Sequence, residues 1–131
     1  MNPHPYFQSQ PIWWSSLPDA LAEAGRSGKR VLLAVGRIDC GGSRALVEKT
    51  LSKEEIFDYV AERFVCVARD ADALTDEEQA LVRRMRSAQK TPFLLYLDAA
   101  GALVLETSGG RPAAVFLNDL VEAATRAPRK V

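Results

Sequence analysis

The sequence predicts an α/β fold, with a central mixed sheet of four or five strands and helices on both faces. Three observations carry that prediction. Apolar runs at 31–36, 64–69, 93–97 and 102–106 have the length and the β-branched, leucine and aromatic content of buried strands. The first three are separated by stretches with helical spacing and helix-start residues. The last two are joined by Asp98-Ala99-Ala100-Gly101, a turn too short for anything but an antiparallel hairpin. The element order is helix, strand, helix, helix, strand, helix, strand, strand, helix. Helical links from the first strand to the second, and from the second to the third, suggest parallel crossovers.

Composition narrows the function classes. A chain of 131 residues fits one domain with a real core. Apolar content of 47% and charged content of 26% belong to a soluble globular protein. Seventeen basic and seventeen acidic residues cancel, which excludes a general attraction to nucleic acid or an anionic membrane. No apolar run approaches the ~20 residues that span a bilayer, so no membrane insertion is expected. Two cysteines make no disulfide framework, and one histidine, His4, is too few for a Cys/His metal cage or a Cys–His catalytic pair. No metal and no cofactor are expected. Met1 to Gln10 lacks a basic stretch followed by an apolar one, so a cytoplasmic location is expected. A periplasmic or secreted protein with its leader removed is the alternative. Residues 1–12 read as a flexible arm, 13–126 as the domain and 127–131 as a tail.

Within the domain, Trp13-Trp14 is expected to pack over an edge, with a partner surface as the alternative reading. Ser16-Leu17-Pro18-Asp19 starts a helix, as a capping serine, a first-turn proline and an acid at the positive end. Its apolar face is Leu17, Ala20, Leu21 and Ala24, and Gly25 or Gly28 ends it. A helix near 42–50 is followed by Ser52-Lys53-Glu54-Glu55, which reads as a capping box opening a helix at 53–62 with Ile56, Phe57 and Val60 inward. Thr75-Asp76-Glu77-Glu78 is another capping box, for a helix running to about 88. Leu81, Val82, Met85 and Ala88 would be buried, with Arg83, Arg84 and Arg86 on its solvated face. A last helix over 113–126 presents Val115, Phe116, Leu117, Leu120, Val121 and Ala124.

Chemistry centres on Arg37-Ile38-Asp39-Cys40-Gly41-Gly42-Ser43-Arg44. This stretch follows the first strand and precedes a helix, so Cys40 falls where a helix begins. Unpaired N–H groups and the positive end of the helix dipole favour thiolate, the reactive form of cysteine. Arg37 and Arg44 add positive field and Asp39 opposes it, so the expected shift is downward from ~8.5. The motif is Cys-x-x-Ser, which closes no disulfide on itself. Cys66, between Val65 and Val67, reads as a buried small hydrophobe. To resolve a disulfide at Cys40 it would need its Cα within about 7 Å.

The ordered set resembles bacterial thioredoxin-like domains. The residues that carry the resemblance are Ala20-Leu21 and Ala24, Lys29-Arg30 before the first strand, Cys40, Phe64-Val65-Cys66-Val67 with Asp70, Thr91-Pro92-Phe93, and Asp98-Ala99-Ala100-Gly101. It covers about residues 13–125. It implies a thioredoxin fold, a βαβ half followed by a ββα half. It implies Cys40 as nucleophile, Ser43 as its catalytic-motif neighbour, and Pro92 as a cis-proline facing the cysteine. It also implies that Thr91 pairs through its backbone with an extended peptide, and it puts Gly41 and Gly42 on the substrate-facing surface. Gly109-Gly110 is either part of that surface or a simple loop. Three departures from the family pattern are Ser43 for the second cysteine, Asp39 for an aromatic, and Ala34 for a buried acid. A serine hydroxyl cannot resolve a mixed disulfide.

Two functions follow. One is monothiol thiol–disulfide exchange or redox sensing through Cys40, toward protein thiols, protein disulfides or glutathione. The other is a non-catalytic binding module that uses the surface around Pro92 and the Trp13-Trp14 patch.

Overall fold

The computed structural model describes residues 13–37, 45, 50, 52–109 and 112–128. Its centre is strand β2 (Arg30–Gly36), which lies between β3 (Phe64–Asp70) and β4 (Phe93–Leu97). The two-residue β1 (Trp13–Trp14) pairs outside β3, and β5 (Leu103–Ser108) pairs outside β4, giving the order β1-β3-β2-β4-β5. The apolar run of β2 is buried on both faces. Leu32 and Ala34 face one core cluster, with helices α2 (Glu54–Arg63) and α4 (Ala113–Thr125). Val31, Leu33 and Val35 face the other, with α1 (Leu17–Ser27) and α3 (Asp76–Val82). This is the two-residue alternation of a strand covered by helices on both sides.

Strand directions depart from the sequence expectation at one link. β2 and β3 are parallel, as are β1 and β3. β4, however, runs antiparallel to β2, so the link from β3 to β4 is not a parallel crossover. β3 ends and β4 begins at the same end of the sheet, since Gly36 pairs with Asp70 and Val35 with Phe93. After α3 the chain is drawn back to that end by β5, where Glu106 and Ser108 hold the Arg86, Ser87 and Lys90 N–H groups and Ser108 pairs with Phe93. The hairpin to β5 is antiparallel as predicted. Asp98 Oδ1 accepts from the Ala100 and Ala102 N–H groups at 3.0 and 2.9 Å, and Gly101 supplies the turn's φ of +88°.

Helix starts show where local signals decide and where they do not. Ser16 caps α1 by accepting from the Asp19 N–H, and Gly28 closes it at φ +77°. The Thr75–Glu78 capping box forms in both directions, at 3.2 and 2.8 Å. The Ser52–Glu55 box does not form. Lys53 is the N-cap of α2, without a side-chain capping bond. The Lys53 N–H closes a turn onto Thr50 O at 3.2 Å, which puts Ser52 inside that turn and leaves Lys53 as the extended residue before the helix.

α3 also stops at Val82, six residues short of the predicted end near 88. Beyond it, Glu106 Oε1 on β5 accepts from the Arg86 and Ser87 N–H groups at 2.7 and 3.0 Å, and Gln89 Nε2 donates to Val82 O at 3.2 Å. A carboxylate from the sheet thus replaces the bonds a longer helix would have made. Ala88 is exposed as a result, not buried. In α4 the buried face is Phe116, Leu120 and Ala123; Val115 and Val121 point outward. Phe57 and Leu21 are half-buried.

Two features lock the layers together. Arg69 on β3 donates from Nε to Glu78 at 3.0 Å, from Nη1 to Ser15 O at 3.1 Å and from Nη2 to Ala73 O at 2.7 Å. Glu78 is only 1% exposed, and its Oε1 also accepts from the Thr75 N–H. At the start of β2, Lys29 Nζ donates to Ala61 O at 2.9 Å, in the last turn of α2. Arg30 Nη1 donates to Ala123 O and Arg126 O at 2.9 and 2.6 Å, at the end of α4. Both cations sit where helix dipoles are negative and carbonyls lack intrahelical partners. Among the described residues, no helix is long and apolar enough to cross a membrane.

Candidate functional site

The site lies at the sheet end where β2 and β3 finish and β4 begins. Cys40, Gly41, Gly42 and Ser43 fall outside the described residues, as does nearly all of the predicted helix at 42–50. Their anchor is described. Cys40 is four residues beyond Gly36, within about 14 Å of chain from the end of β2. The Ala71 N–H donates to Gly36 O at 2.9 Å, tying the two strand ends together. Arg37 Nη1 donates to Asp72 Oδ1 at 2.5 Å, and Asp70 Oδ1 accepts from the Asp72 N–H at 2.9 Å. Arg37, read from the sequence as a source of positive field, therefore carries an acid beside it.

On the neighbouring strand, Val35 pairs with Phe93, so Thr91 and Pro92 come up beside the end of β2. The Thr91–Pro92 peptide bond is cis; Pro92 is buried and Thr91 half-buried. The end of β5 pins this loop. The Gly109 N–H is shared between Lys90 O and Pro92 O, both at 2.9 Å. Ser108 Oγ accepts from the Lys90 N–H at 2.9 Å and returns a bond to Lys90 O at 3.2 Å. Gly109 holds φ at +79°, in the region that favours glycine. Gly109 is thus bonded to the Pro92 loop, and Gly110 lies outside the described residues. Ser108 and Lys90 were not singled out from the sequence. The nearest signal was the pair of glycines after an apolar strand.

The departures around Cys40 have counterparts here. Ala34 is fully buried and pairs with Ala68 on one side and Leu94 on the other, so this stretch of β2 is lined by apolar residues. Among the described residues, no group of three His, Cys, Asp or Glu side chains is placed to hold a metal ion. Cys66 is 1% exposed within the core and pairs with Leu32, four residues from the strand end that carries the site. That is about 13 Å along the strand. Burial pushes the Cys66 thiol well above the ordinary range, slightly opposed by the Lys29 charge.

The sign of the resulting pH effect follows. The folded chain keeps the Cys66 proton above ~8.5, where an unfolded thiol loses it. This contribution to stability is complete below ~8.5 and falls above it by up to ~1.4 kcal/mol per pH unit. Chemical denaturation between about pH 7 and about pH 10 should therefore show a steeper alkaline loss for the native chain than for Cys66→Ala. Parallel pH profiles would contradict the assignment.

A cis-proline loop beside the end of the central strand, in a sheet of order β1-β3-β2-β4-β5 flanked by helices, defines a thioredoxin-like protein. The thioredoxin-like domain family matches residues 17–124, and the chain belongs to it. A thioredoxin from Thermus thermophilus is 31% identical over 84% of this chain and 84% of its own, with a TM-score of 0.68. A putative disulphide-isomerase from Bacteroides thetaiotaomicron is 21% identical, with 85% and 88% of the two chains covered and a TM-score of 0.68. A disulphide isomerase from Xylella fastidiosa Temecula1 is 24% identical, with 82% of each chain covered and a TM-score of 0.61. The last two likenesses are of fold. No curated protein matches the sequence.

Proposed function

We propose that the protein performs monothiol thiol–disulfide exchange through Cys40. The observation that supports this reading is the cis Thr91–Pro92 loop beside the end of β2, the strand that Cys40 follows by four residues in the sequence. The 31% identity to a thioredoxin supports the same chemistry. The Cys40 thiolate attacks one sulfur of a partner disulfide. A Cys40–partner disulfide forms, the original S–S bond breaks, and the leaving thiolate takes a proton. Ser43 holds a hydroxyl and no thiol, so it cannot complete an internal disulfide. Its role is to donate a hydrogen bond to the Cys40 thiolate. A second thiol from outside, of a protein or of glutathione, attacks the mixed disulfide and returns Cys40. The Thr91 backbone and the small residues Gly41 and Gly42 accommodate the partner as an extended segment.

The test is the pH dependence of Cys40 alkylation, mapped by mass spectrometry with Cys66 as internal reference. Cys40 should label with a midpoint below ~8.5, while folded Cys66 stays unlabelled. Labelling of Cys40 only at the ordinary thiol value would remove the physical basis for exchange. It would leave the Pro92 surface as a non-catalytic binding site.

A further inference from the structure

The segment between α3 and the Thr91–Pro92 loop is unusual in charge. Arg83, Arg84, Arg86 and Lys90 place four of the chain's seventeen basic residues within eight positions, and no acid falls among them. All four are exposed. Among the described residues, no carboxylate forms an ion pair with any of them. Their placement is not explained by the helix before them. α3 ends at Val82, so the four cations lie at and beyond its C-cap, Arg83, and not along a solvated helical face. One cation at the cap complements a helix dipole, whose effect fades within a turn; Arg86 and Lys90 lie further on.

The backbone of this segment is fixed. Glu106 on β5 holds the Arg86 and Ser87 N–H groups, and Ser108 two residues on holds Lys90. The segment therefore tracks β5 toward the site, and Lys90 ends two residues from Pro92 with its stem beside Gly109. These four cations outnumber the carboxylates beside them, Glu106 at the Arg86 N–H and Glu77 in the hollow shared with Arg84, and so make a local positive field in a chain of zero net charge.

We infer that Arg83, Arg84, Arg86 and Lys90 form a docking strip for an acidic polypeptide segment flanking the partner's reactive cysteine. The strip is continuous with the loop that would pair with that partner. The occupant is therefore a peptide chain that carries its acids a few residues from the cysteine. This inference rests on the exchange reading of Cys40 for the identity of the partner. Its binding component is testable apart from that chemistry.

The binding experiment uses the full chain carrying Cys40→Ser and two fluorescent peptides without cysteine, one Asp/Glu-rich and one Asn/Gln-rich. At low ionic strength, anisotropy should show the acidic peptide bound about tenfold more tightly, with the difference lost at about 0.5 M salt. The triple variant Arg83→Gln, Arg84→Gln, Arg86→Gln should lose the preference, and the triple lysine variant should keep it. Circular dichroism checks that each variant is folded. Equal affinity for the two peptides, a preference unchanged in the glutamine variant, or tighter binding to anionic phosphatidylglycerol vesicles than to the acidic peptide would overturn the inference.

The exchange experiment uses the chain with Cys40 intact and versions of the two peptides with one added cysteine, each blocked as a thionitrobenzoate mixed disulfide. Attack by the Cys40 thiolate releases coloured thionitrobenzoate and leaves the peptide joined to Cys40. The acidic probe should react about tenfold faster than the neutral one at low salt. Absence of reaction with both probes would overturn the exchange reading and, with it, the partner named here. The acidic preference in the binding experiment would then stand as a property of the strip alone.

Discussion

Replacing Glu78 by alanine is expected to remove about 3–5 kcal/mol of stability, a large share of the ~5–15 kcal/mol of an ordinary domain. Glu78 is 1% exposed and is held by Arg69 Nε and the Thr75 N–H. Its loss strands the Arg69 guanidinium, which also bonds Ser15 O and Ala73 O, next to the core without its counter-charge. It also removes half of the α3 capping box. Breaking one side of such a pair costs far more than replacing both, since a lone buried charge keeps its desolvation penalty. Urea denaturation should therefore rank Glu78→Ala as most destabilised, with Arg69→Met/Glu78→Leu recovering at least half of the loss. A change of ~1 kcal/mol or less for Glu78→Ala would mean that the pair behaves like an exposed ion pair.

Ser43→Cys is expected to turn the protein into a dithiol reductant. In the proposed mechanism, exchange by the native chain stops at the mixed disulfide until an outside thiol arrives. A thiol at position 43, three residues from Cys40, attacks that disulfide intramolecularly and releases the partner as a thiol. Intramolecular attack carries a large effective concentration, so partner release should accelerate on the order of 100-fold or more. Non-reducing electrophoresis of reactions with a model disulfide protein gives the readout. The native chain should accumulate a Cys40–partner adduct, and Ser43→Cys should accumulate free reduced partner and its own internal disulfide. Persistence of the adduct in Ser43→Cys would place the two side chains too far apart for the Cys-x-x-Ser motif to be a converted dithiol site.

The fold was legible where the signal was local and uncontested. Ser16 and Gly28 bracket α1, Thr75 and Glu78 close their box, and the alternation in β2 gives a strand buried on both faces. It was illegible where a competing backbone bond or a distant residue decided the outcome. The Ser52 box has the same lettering as the Thr75 box, yet Ser52 lies inside the turn that the Lys53 N–H closes onto Thr50 O, and Lys53 is the residue before α2. The helical spacing through Met85 and Ala88 is real, but Glu106 on β5 captures the N–H groups that would have continued α3. The broad apolar stripe of α4 was over-read at Val115 and Val121, because only a narrower face meets the sheet. At the site, Thr91 and Pro92 could be singled out through resemblance alone; no spacing rule yields them. Lys29 and Arg30 were seen as a lead-in to β2, while their bonds to the ends of α2 and α4 depend on contacts 32 and 93 residues away.

The strand order also governs how the chain must be made. β2 is the central strand, yet both of its neighbours, β3 and β4, come later in the sequence. During synthesis, Val31-Leu32-Leu33-Ala34-Val35 leaves the ribosome with no sheet partner until β3 appears, and stays open on its other edge until β4 is complete. For that interval, the most apolar stretch of the domain is an unpaired strand with two exposed edges, the type of surface that chaperones bind and that aggregates when they do not. The pairing that buries it spans much of the chain, which places this domain among those whose folding is set by late, long-range closure.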